Sequence, residues 1–307
     1  ATYYPARLEK LGPIDRAVIA AGMQEVEERY GEHSDMPLEY HNQLHTWEAF
    51  EDYCMYADIF GLDDQAFVDG AIAIAWHDWE QMKGSGANER ESALKAQEVM
   101  DGAGYSVDRQ RKASNYILAT EVEADERGRL TQKHLMTFGP DRTLLAITMA
   151  DMYSITLRGE ETMVRHAYRL ACEFGRVSFV QLAKDPAALI RMFDMQYPYV
   201  GDRLDILEAA VRFHVTPDEE ADRVLAELRA RFGSRSRAAI RAAKSIHEGI
   251  AKKPEEAVRS VREWAESASD ETTFLDGLAR YATRLALHRG LQHLPETKAA
   301  AHNFEES

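Results

Sequence analysis

Hydrophobic residues recur at helical spacing along almost the whole chain. In the first half this spacing predicts helices over 14–30, 38–60, from 64 into the His77-Asp78 pair, and over 88–102, 108–122 and 141–157. In the second half it predicts helices over 160–175, 187–195, 205–213, 217–232, 236–250, 254–268 and 271–291. No alternating pattern is long enough to build a sheet, so the sequence predicts an all-α protein.

The character of the chain changes near residue 159, beyond which the predicted helices are rich in Ala, Arg and Glu. We therefore predict a first helical domain over residues 1–158 and an additional C-terminal helical region over residues 159–307. The second region has three open roles: a lid, a homodimer face or a bundle that binds a partner. The tail from residue 295 onward is expected to fray.

Local sequence signals also predict two connecting segments and one helix cap. Residues 83–87 are predicted to form a flexible connection, and 123–132 a charged loop. Asn88 is predicted to cap the following helix, with Glu91 three residues later as its capping-box partner.

The most apolar stretch of the chain leads directly into an adjacent His-Asp pair. Residues 71–75 are small or aliphatic, and Trp76, His77 and Asp78 follow. A buried carboxylate must be satisfied by hydrogen bonds or by a cation, because an unpaired one is very costly. Two interpretations remain open: a histidine bonded to its neighbour at the end of a core helix, or a pair of ligands for a divalent metal ion.

Two further segments carry ligand-type side chains. His41 and His45 are four residues apart, so a helix would place both on one face, where they either bind a metal or form an exposed pair. Asp151 lies by helical phase near Leu144 and Ile147, and a carboxylate among apolar side chains needs a cation. That cation is either a metal ion or an arginine at the rim of the core.

Composition excludes several classes of protein. The formal net charge of −15 argues against general nucleic-acid binding, which needs a basic surface. No apolar run reaches membrane-spanning length, and no signal peptide opens the chain, so we expect no membrane association. Cys54 and Cys172 are the only cysteines, which favours a cytoplasmic location.

The ordered set of motifs resembles the HD superfamily, and within it the bacterial branch described as predicted metal-dependent HD phosphohydrolases. The resemblance covers about residues 30–157. It rests on Tyr40-His41-Asn42 with His45, Trp76-His77-Asp78, Asn88-Glu89 with Ser92-Ala93, Leu118-Ala119-Thr120 and Ala150-Asp151. It implies an HD-domain helical bundle and a metal-dependent hydrolase.

By this resemblance one divalent ion (Mn, Mg, Co, Fe or Ni) is held by four ligands: His45, His77, Asp78 and Asp151. The implied substrate is a small phosphate ester, a nucleotide or a related pyrophosphate.

The remaining roles are hypotheses based on the chemistry of nearby residues in the sequence. Glu89 is the first candidate to orient or deprotonate the attacking water, and Glu80 is the second. His41 either donates to a phosphate oxygen or holds His45 in place. Lys83 and Arg90 are the nearest basic residues for the substrate phosphate. Lys83 lies in a Gly-Ser-Gly loop, so it either closes over the site or is simply a solvated loop charge.

Two positions depart from that branch. Glu123 stands where we expect a histidine, so a second metal site would need Glu123 or His134 as a substitute ligand. Glu39 stands where a basic residue is common. Two alternatives therefore stay open: an HD-fold di-iron oxygenase, which requires that second site, and a non-catalytic scaffold stabilised by its metal.

Overall fold

The computed structural model describes residues 11–124, 130–153, 157–175, 203–270 and 272–277, together with residues 7, 9, 181, 185, 187 and 188. Most of the predicted helices 187–195 and 271–291, and the predicted tail, lie outside these residues.

The described residues are almost entirely helical, which confirms the all-α prediction. The elements are α1 (Pro13–Tyr30), α2 (Gln43–Ile59), α3 (Asp64–Trp76), α4 (Ala87–Gly102), α5 (Val107–Leu118), β1 (Val122–Ala124), β2 (Leu130–Gln132), α6 (Arg142–Thr148), a π-helical segment (Met149–Tyr153), α7 (Glu160–Gly175), α8 (Arg203–His214), α9 (Asp218–Lys252) and α10 (Pro254–Ser267). None of the described helices has the length and apolar composition needed to cross a membrane.

The structure corrects the predicted helix over 108–122 and the loop that was to follow it. Helix α5 ends at Leu118, and strands β1 and β2 form a short antiparallel hairpin in which Val122 pairs with Gln132. Three-residue strands are too short to show an alternating pattern, so sequence periodicity misses them.

Helix α9 corrects a second prediction. The sequence predicted separate helices over 217–232 and 236–250, with a break around Gly233, whereas one helix runs from Asp218 to Lys252. A single glycine costs a helix only about 1 kcal/mol, which the rest of α9 tolerates.

Helix α2 begins five residues later than predicted, and its cap explains why. The side chain of Asn42 accepts hydrogen bonds from the backbone N–H groups of Leu44 and His45, at 3.0 and 3.4 Å. Asn42 itself has extended backbone geometry, so it is the residue that ends the preceding loop. His41 therefore lies before the helix, not on its face.

Helix α4 begins at Ala87, and its capping differs from the prediction. The carboxylate of Glu89, not that of Glu91, accepts a 2.5 Å hydrogen bond from the backbone N–H of Gly86. Gly86 has φ = 77°, a backbone region that favours glycine. Asn88 instead accepts a hydrogen bond from the backbone N–H of Lys83, which ties the connecting loop to α4.

Helix α3 lies at the centre of the first part of the fold. Its residues from Phe67 to Trp76 are all buried, and it packs against α1, α2, α4, α5 and α6. Helix α1 approaches the end of α3 closely at Gly22: a Cβ there would lie 2.7 Å from the carbonyl oxygen of Ala75 and 2.8 Å from the indole nitrogen of Trp76. That indole donates to the Val18 carbonyl.

The chain divides into two compact units. One unit comprises Ala1–Ile155 and Asp202–Gly233, and the other comprises Thr156–Gly201 and Ser234–Ser307. The first unit thus contains residues 202–233.

One histidine explains part of this assignment. The buried ring of His214 accepts a hydrogen bond at Nδ1 from the Asp141 N–H (2.9 Å) and donates from Nε2 to the Leu135 carbonyl (2.6 Å). Arg142 donates to the carbonyl of Thr216 at 2.9 Å. His214 of α8 therefore satisfies backbone groups before and at the start of α6, and Arg142 of α6 satisfies a carbonyl in the turn after α8.

Replacing His214 with alanine is expected to lower the free energy of unfolding by about 1–3 kcal/mol, because two buried backbone groups lose their partners. Urea denaturation of the variant, beside His33→Ala at an exposed position, measures the effect. Equal stability of the two variants would contradict the anchoring role of His214.

The contribution of His214 should also depend on pH. Burial lowers the pKa of its ring, and the hydrogen bond to the Leu135 carbonyl and the negative charge of Asp141 only partly offset that effect. The folded protein therefore holds the neutral ring, and its contribution is complete above about pH 6.5 and is lost as the pH falls below that value. The stability difference between wild type and His214→Ala should shrink on acidification, as denaturation at about pH 7.5 and about pH 5 would show.

Candidate metal centre

Four side chains predicted as metal ligands come together in the first unit. Asp78 Oδ2 lies 3.2 Å from His45 Nε2 and 3.2 Å from His77 Nε2. Asp151 Oδ1 lies 3.6 Å from each of the same two nitrogens. His45, His77 and Asp78 are buried, and Asp151 is partly exposed.

Each ligand-type residue sits at the end or the interruption of a helix. His45 lies in the first turn of α2, where the Asn42 cap holds its backbone N–H. His77 is the C-terminal cap of α3, and Asp78 follows it in the turn. Asp151 is the third residue of the π-helical segment that continues α6. Helix ends and π segments are common places for functional side chains because their backbone departs from the regular helix.

The ring of His77 is held in one tautomer. Its Nδ1 lies 2.7 Å from the carbonyl oxygen of Ile74, and because a carbonyl only accepts, Nδ1 must carry the proton. When the ring is neutral, Nε2 therefore presents a lone pair toward Asp78 and Asp151. A histidine that donates from its other nitrogen to a carbonyl is the usual arrangement of a metal ligand.

Asp78 is oriented in a similar way. Its Oδ1 accepts a 2.8 Å hydrogen bond from the side-chain amide of Gln81, which leaves Oδ2 directed at the two histidines. The sequence did not single out Gln81. Its spacing, three residues after Asp78 in a turn, is the only local signal that suggests this contact.

The four groups perturb one another strongly. Burial alone would lower the pKa of His45, but the carboxylates of Asp151 and Asp78 outweigh it and raise that pKa to about 9. Burial would also lower the pKa of His77, but the carboxylates of Asp78 and Asp151 raise it well above the ordinary value. For Asp78, burial favours the neutral acid, yet His77 and His45 hold its pKa well below the ordinary value. The cluster therefore favours positive charge beside its carboxylates, which either protons or a metal ion can supply.

The donor set fits a divalent metal ion. Three of its atoms, His45 Nε2, His77 Nε2 and Asp78 Oδ2, are buried without a hydrogen-bond partner among the described residues. Two ligand atoms about 2.1 Å from a shared ion, at angles of about 90–120°, lie about 3.0–3.6 Å apart, which matches the observed separations. Ligand-type atoms of His45, His77 and Asp151 all lie within 4.8 Å of one another.

His41 lies beside this cluster although it precedes helix α2. Its ring stands edge-on to those of Tyr40 (4.8 Å between centroids) and His45 (5.8 Å), and its side chain is partly buried. Its charge also helps to lower the pKa of Asp78. The predicted juxtaposition of His41 and His45 is present, but a turn produces it.

Glu80 has structural partners at both carboxylate oxygens. Oε2 accepts from Arg29 at 3.1 Å, and Oε1 accepts from the backbone N–H of Met82 at 2.8 Å. The backbone N–H of Glu80 donates to Ser92. These bonds fix the turn that follows Asp78, so Glu80 holds the loop in place.

The other predicted site residues, Glu89, Lys83 and Arg90, are not part of the four-residue cluster. Glu89 caps α4 and is partly buried, which raises the pKa of its carboxyl group; the charges of Asp78 and Glu121 add to that rise. Lys83 is exposed and pairs with Glu91 at 3.1 Å. Arg90 is exposed on α4.

The two substitute ligands for a second metal site do not join the cluster. Glu123 is exposed on β1. His134 pairs with Glu121 at 3.3 Å and with Thr137 at 3.2 Å. Within the described residues, His45, His77 and Asp151 form the only group of three or more ligand-type side chains that could hold an ion.

Contacts from the end of α1, which the sequence did not reveal, stabilise the turn at residues 79–81. Arg29 lies over the ring of Trp79, 4.2 Å from its centroid, and the hydroxyl of Tyr30 accepts from the backbone N–H of Gln81. The indole of Trp79 donates to Glu25 at 2.6 Å. The end of α1 thus holds residues 79–81 and, through Gln81, the carboxylate of Asp78.

Comparisons with family models, with curated proteins and with solved structures found no match to this chain.

Proposed function

We propose that the protein is a metal-dependent phosphohydrolase of the HD type that acts on a small phosphate ester, such as a nucleotide or a related pyrophosphate. The observation that carries the proposal is the convergence of three buried, unpartnered ligand atoms with the carboxylate of Asp151. Such atoms cost about 1–3 kcal/mol each when they are left unsatisfied, so their retention together favours a bound cation. The fold adds support because it is all-α and draws the ligands from three separate helical regions.

The ligand types favour a borderline or hard ion: Mn²⁺, Mg²⁺, Co²⁺, Fe²⁺ or Ni²⁺. His45, His77, Asp78 and Asp151 would hold it. When bound, such an ion polarises a phosphoryl oxygen and lowers the pKa of a coordinated water.

The protein groups around the ion would complete the reaction. Hydrolysis adds a water oxygen to phosphorus and breaks the bond to the leaving oxygen, so one group must accept the proton of the water. Glu89 suits this role better than Glu80: burial raises its pKa toward neutrality, whereas both oxygens of Glu80 are occupied. His41, beside His45, would donate a hydrogen bond to a phosphate oxygen. Lys83 and Arg90 would attract the anion from the surface.

A screen of phosphate esters tests the proposal. Purified protein with Mn²⁺ should release phosphate from a nucleotide, a pyrophosphate or p-nitrophenyl phosphate, lose that activity in EDTA and regain it when Mn²⁺ is restored. Asp151→Asn should lower the activity by about 100-fold or more, whereas Asp35→Asn, at an exposed position, should not change it.

The second candidate is a non-catalytic scaffold in which the ion only stabilises the helices. The structural engagement of Glu80, Glu89 and Lys83 favours it, because groups that cap helices and pair with neighbours need no catalytic role. Stoichiometric Mn²⁺ binding without phosphate release from any ester would support the scaffold. Two irons per chain would instead support the oxygenase, whose second ligand group is absent from the described residues.

A further inference from the structure

The short hairpin makes one contact whose position is informative. Gln132, the last residue of β2, is 4 % exposed. Its side-chain amide donates a 3.0 Å hydrogen bond to the carbonyl oxygen of Thr148. Thr148 is the last residue of α6, directly before the π-helical segment. The hairpin therefore reaches the backbone where the helix changes its hydrogen-bond pattern.

The carbonyl of Thr148 lies where the backbone hydrogen-bond pattern changes, so an additional donor can stabilise it. In a regular α-helix the carbonyl of Thr148 would accept from the N–H four residues later, and the π pattern moves the donor to five residues later. The Thr148 hydroxyl donates back to the carbonyl of Leu145 at 3.0 Å, a bond that tends to bend helices. A second donor, from Gln132, stabilises the carbonyl at this junction.

The orientation of the amide is fixed by its partner. A carbonyl oxygen only accepts, so the NH₂ group of Gln132 must face Thr148 and Oε1 must point away. Oε1 is buried and has no hydrogen-bond partner among the described residues. The side chain thus keeps its hydrogen bond to Thr148 at the cost of an unsatisfied Oε1, which indicates that the bond to Thr148 is the important one.

The π segment in turn sets the direction of Asp151. One extra residue in a helical turn rotates the following side chains by roughly 100° relative to a regular helix. With the π segment in place, Asp151 Oδ1 lies 3.6 Å from both His45 Nε2 and His77 Nε2. A return to regular α-helix would turn the carboxylate away from the histidines.

We propose that Gln132 is a positioning residue for Asp151: its hydrogen bond to Thr148 holds the π segment in the register that presents the carboxylate to the two histidines. This inference rests on the proposed metal site. It assigns the hairpin a function, which is to carry a buried amide to the junction between α6 and the π segment.

The experiment compares two glutamines that make the same kind of bond. Gln132→Met keeps the length of the side chain and removes the donor. Gln110→Met is the matched control, because Gln110 also donates to a backbone carbonyl, that of Tyr105 at 2.8 Å, at the junction of α4 and α5. Mn²⁺ affinity, the visible spectrum of the Co²⁺-loaded protein, and hydrogen exchange of residues 148–153 in the metal-free protein are measured for both variants and for wild type.

Gln132→Met should weaken Mn²⁺ binding by about 10–100-fold, as is usual when support of a ligand is lost. It should also change the Co²⁺ spectrum and speed exchange in residues 148–153. Gln110→Met should leave all three readouts as in wild type. A merely structural role of Gln132 would change stability but not the Co²⁺ spectrum.

The outcomes separate the two proposals. Wild-type affinity and an unchanged Co²⁺ spectrum in Gln132→Met would overturn the positioning role and leave the metal site standing. Absence of Mn²⁺ and Co²⁺ binding in wild type would overturn the metal site, and the positioning role with it. Equal weakening in the Gln110→Met control would also overturn the positioning role, because the loss would then reflect general destabilisation.

Discussion

Replacing His77 with alanine should abolish the stabilisation that Mn²⁺ gives to the protein. At an ion concentration of about 100 times Kd, binding to the folded state alone stabilises by about 2.7 kcal/mol, and the variant should show none of this gain. The reason is geometric: His77 Nε2 lies 3.2 Å from Asp78 Oδ2 and 3.6 Å from Asp151 Oδ1. The variant therefore lacks one of the proposed nitrogen ligands, and His45 supplies the other. Thermal unfolding with and without Mn²⁺ measures the effect, and phosphate release should disappear with it.

Two controls make the result specific. His33→Ala removes an exposed histidine and should keep the full Mn²⁺ gain. Asp78→Asn keeps the shape of the side chain and its oxygen toward Gln81, yet should also lose the gain, because the charge at Oδ2 is gone. An Mn²⁺ gain in His77→Ala equal to that of wild type would remove this cluster as the metal site.

The second large effect is expected at Gly22, where alanine should destabilise the protein by about 3 kcal/mol. In an ordinary helix interior the same change stabilises by about 1 kcal/mol, so the sign itself is diagnostic. The new Cβ would overlap the carbonyl oxygen of Ala75 and the indole of Trp76, which is bonded to Val18 and is not free to turn. Helices α1 and α3 would have to separate next to His77.

Gly102→Ala is the matched control, because Gly102 ends α4 at an exposed position with no atom within 4 Å of the added carbon. It should be neutral or stabilising by up to about 1 kcal/mol. Urea denaturation of both variants decides the point. Equal stabilities would mean that the helices are less tightly packed at Gly22 than the structure indicates.

Much of the fold could be predicted from the sequence because most helices have an apolar face of regular spacing. The uninterrupted apolar run before His77 also marks the central helix, which is buried from Phe67 to Trp76. What escaped prediction depends on single residues or on distant contacts. The π segment around Asp151 looks like ordinary helix in sequence, and the bond from Gln132 to the carbonyl of Thr148 at its start comes from a separate element. The division into two units depends on such distant contacts too, because residues 202–233 group with residues 1–155.

In the candidate site, too, some features could be predicted from the sequence and others could not. The four ligand-type residues were found from the family-like order of motifs, and the structure brings them together. The roles of the surrounding carboxylates were harder to predict, because they depend on partners far along the chain. Glu80 is held by Arg29, 51 residues earlier, and no local pattern reveals that bond. Glu89 was proposed as a base, and local cap chemistry shows that it also starts a helix.

The anchoring of α6 by His214 has a consequence for synthesis on the ribosome. The last ligand-type residue, Asp151, is made 63 residues before His214, which completes the support of Asp141 and Leu135. At about 5–20 residues per second, the nascent chain waits roughly 3–13 s between these two points. During that interval the segments that carry the histidines and carboxylates have been translated, but the start of α6 lacks its partner. Folding of the first unit, and with it assembly of the His-Asp cluster, is therefore expected to follow the emergence of α8 from the exit tunnel.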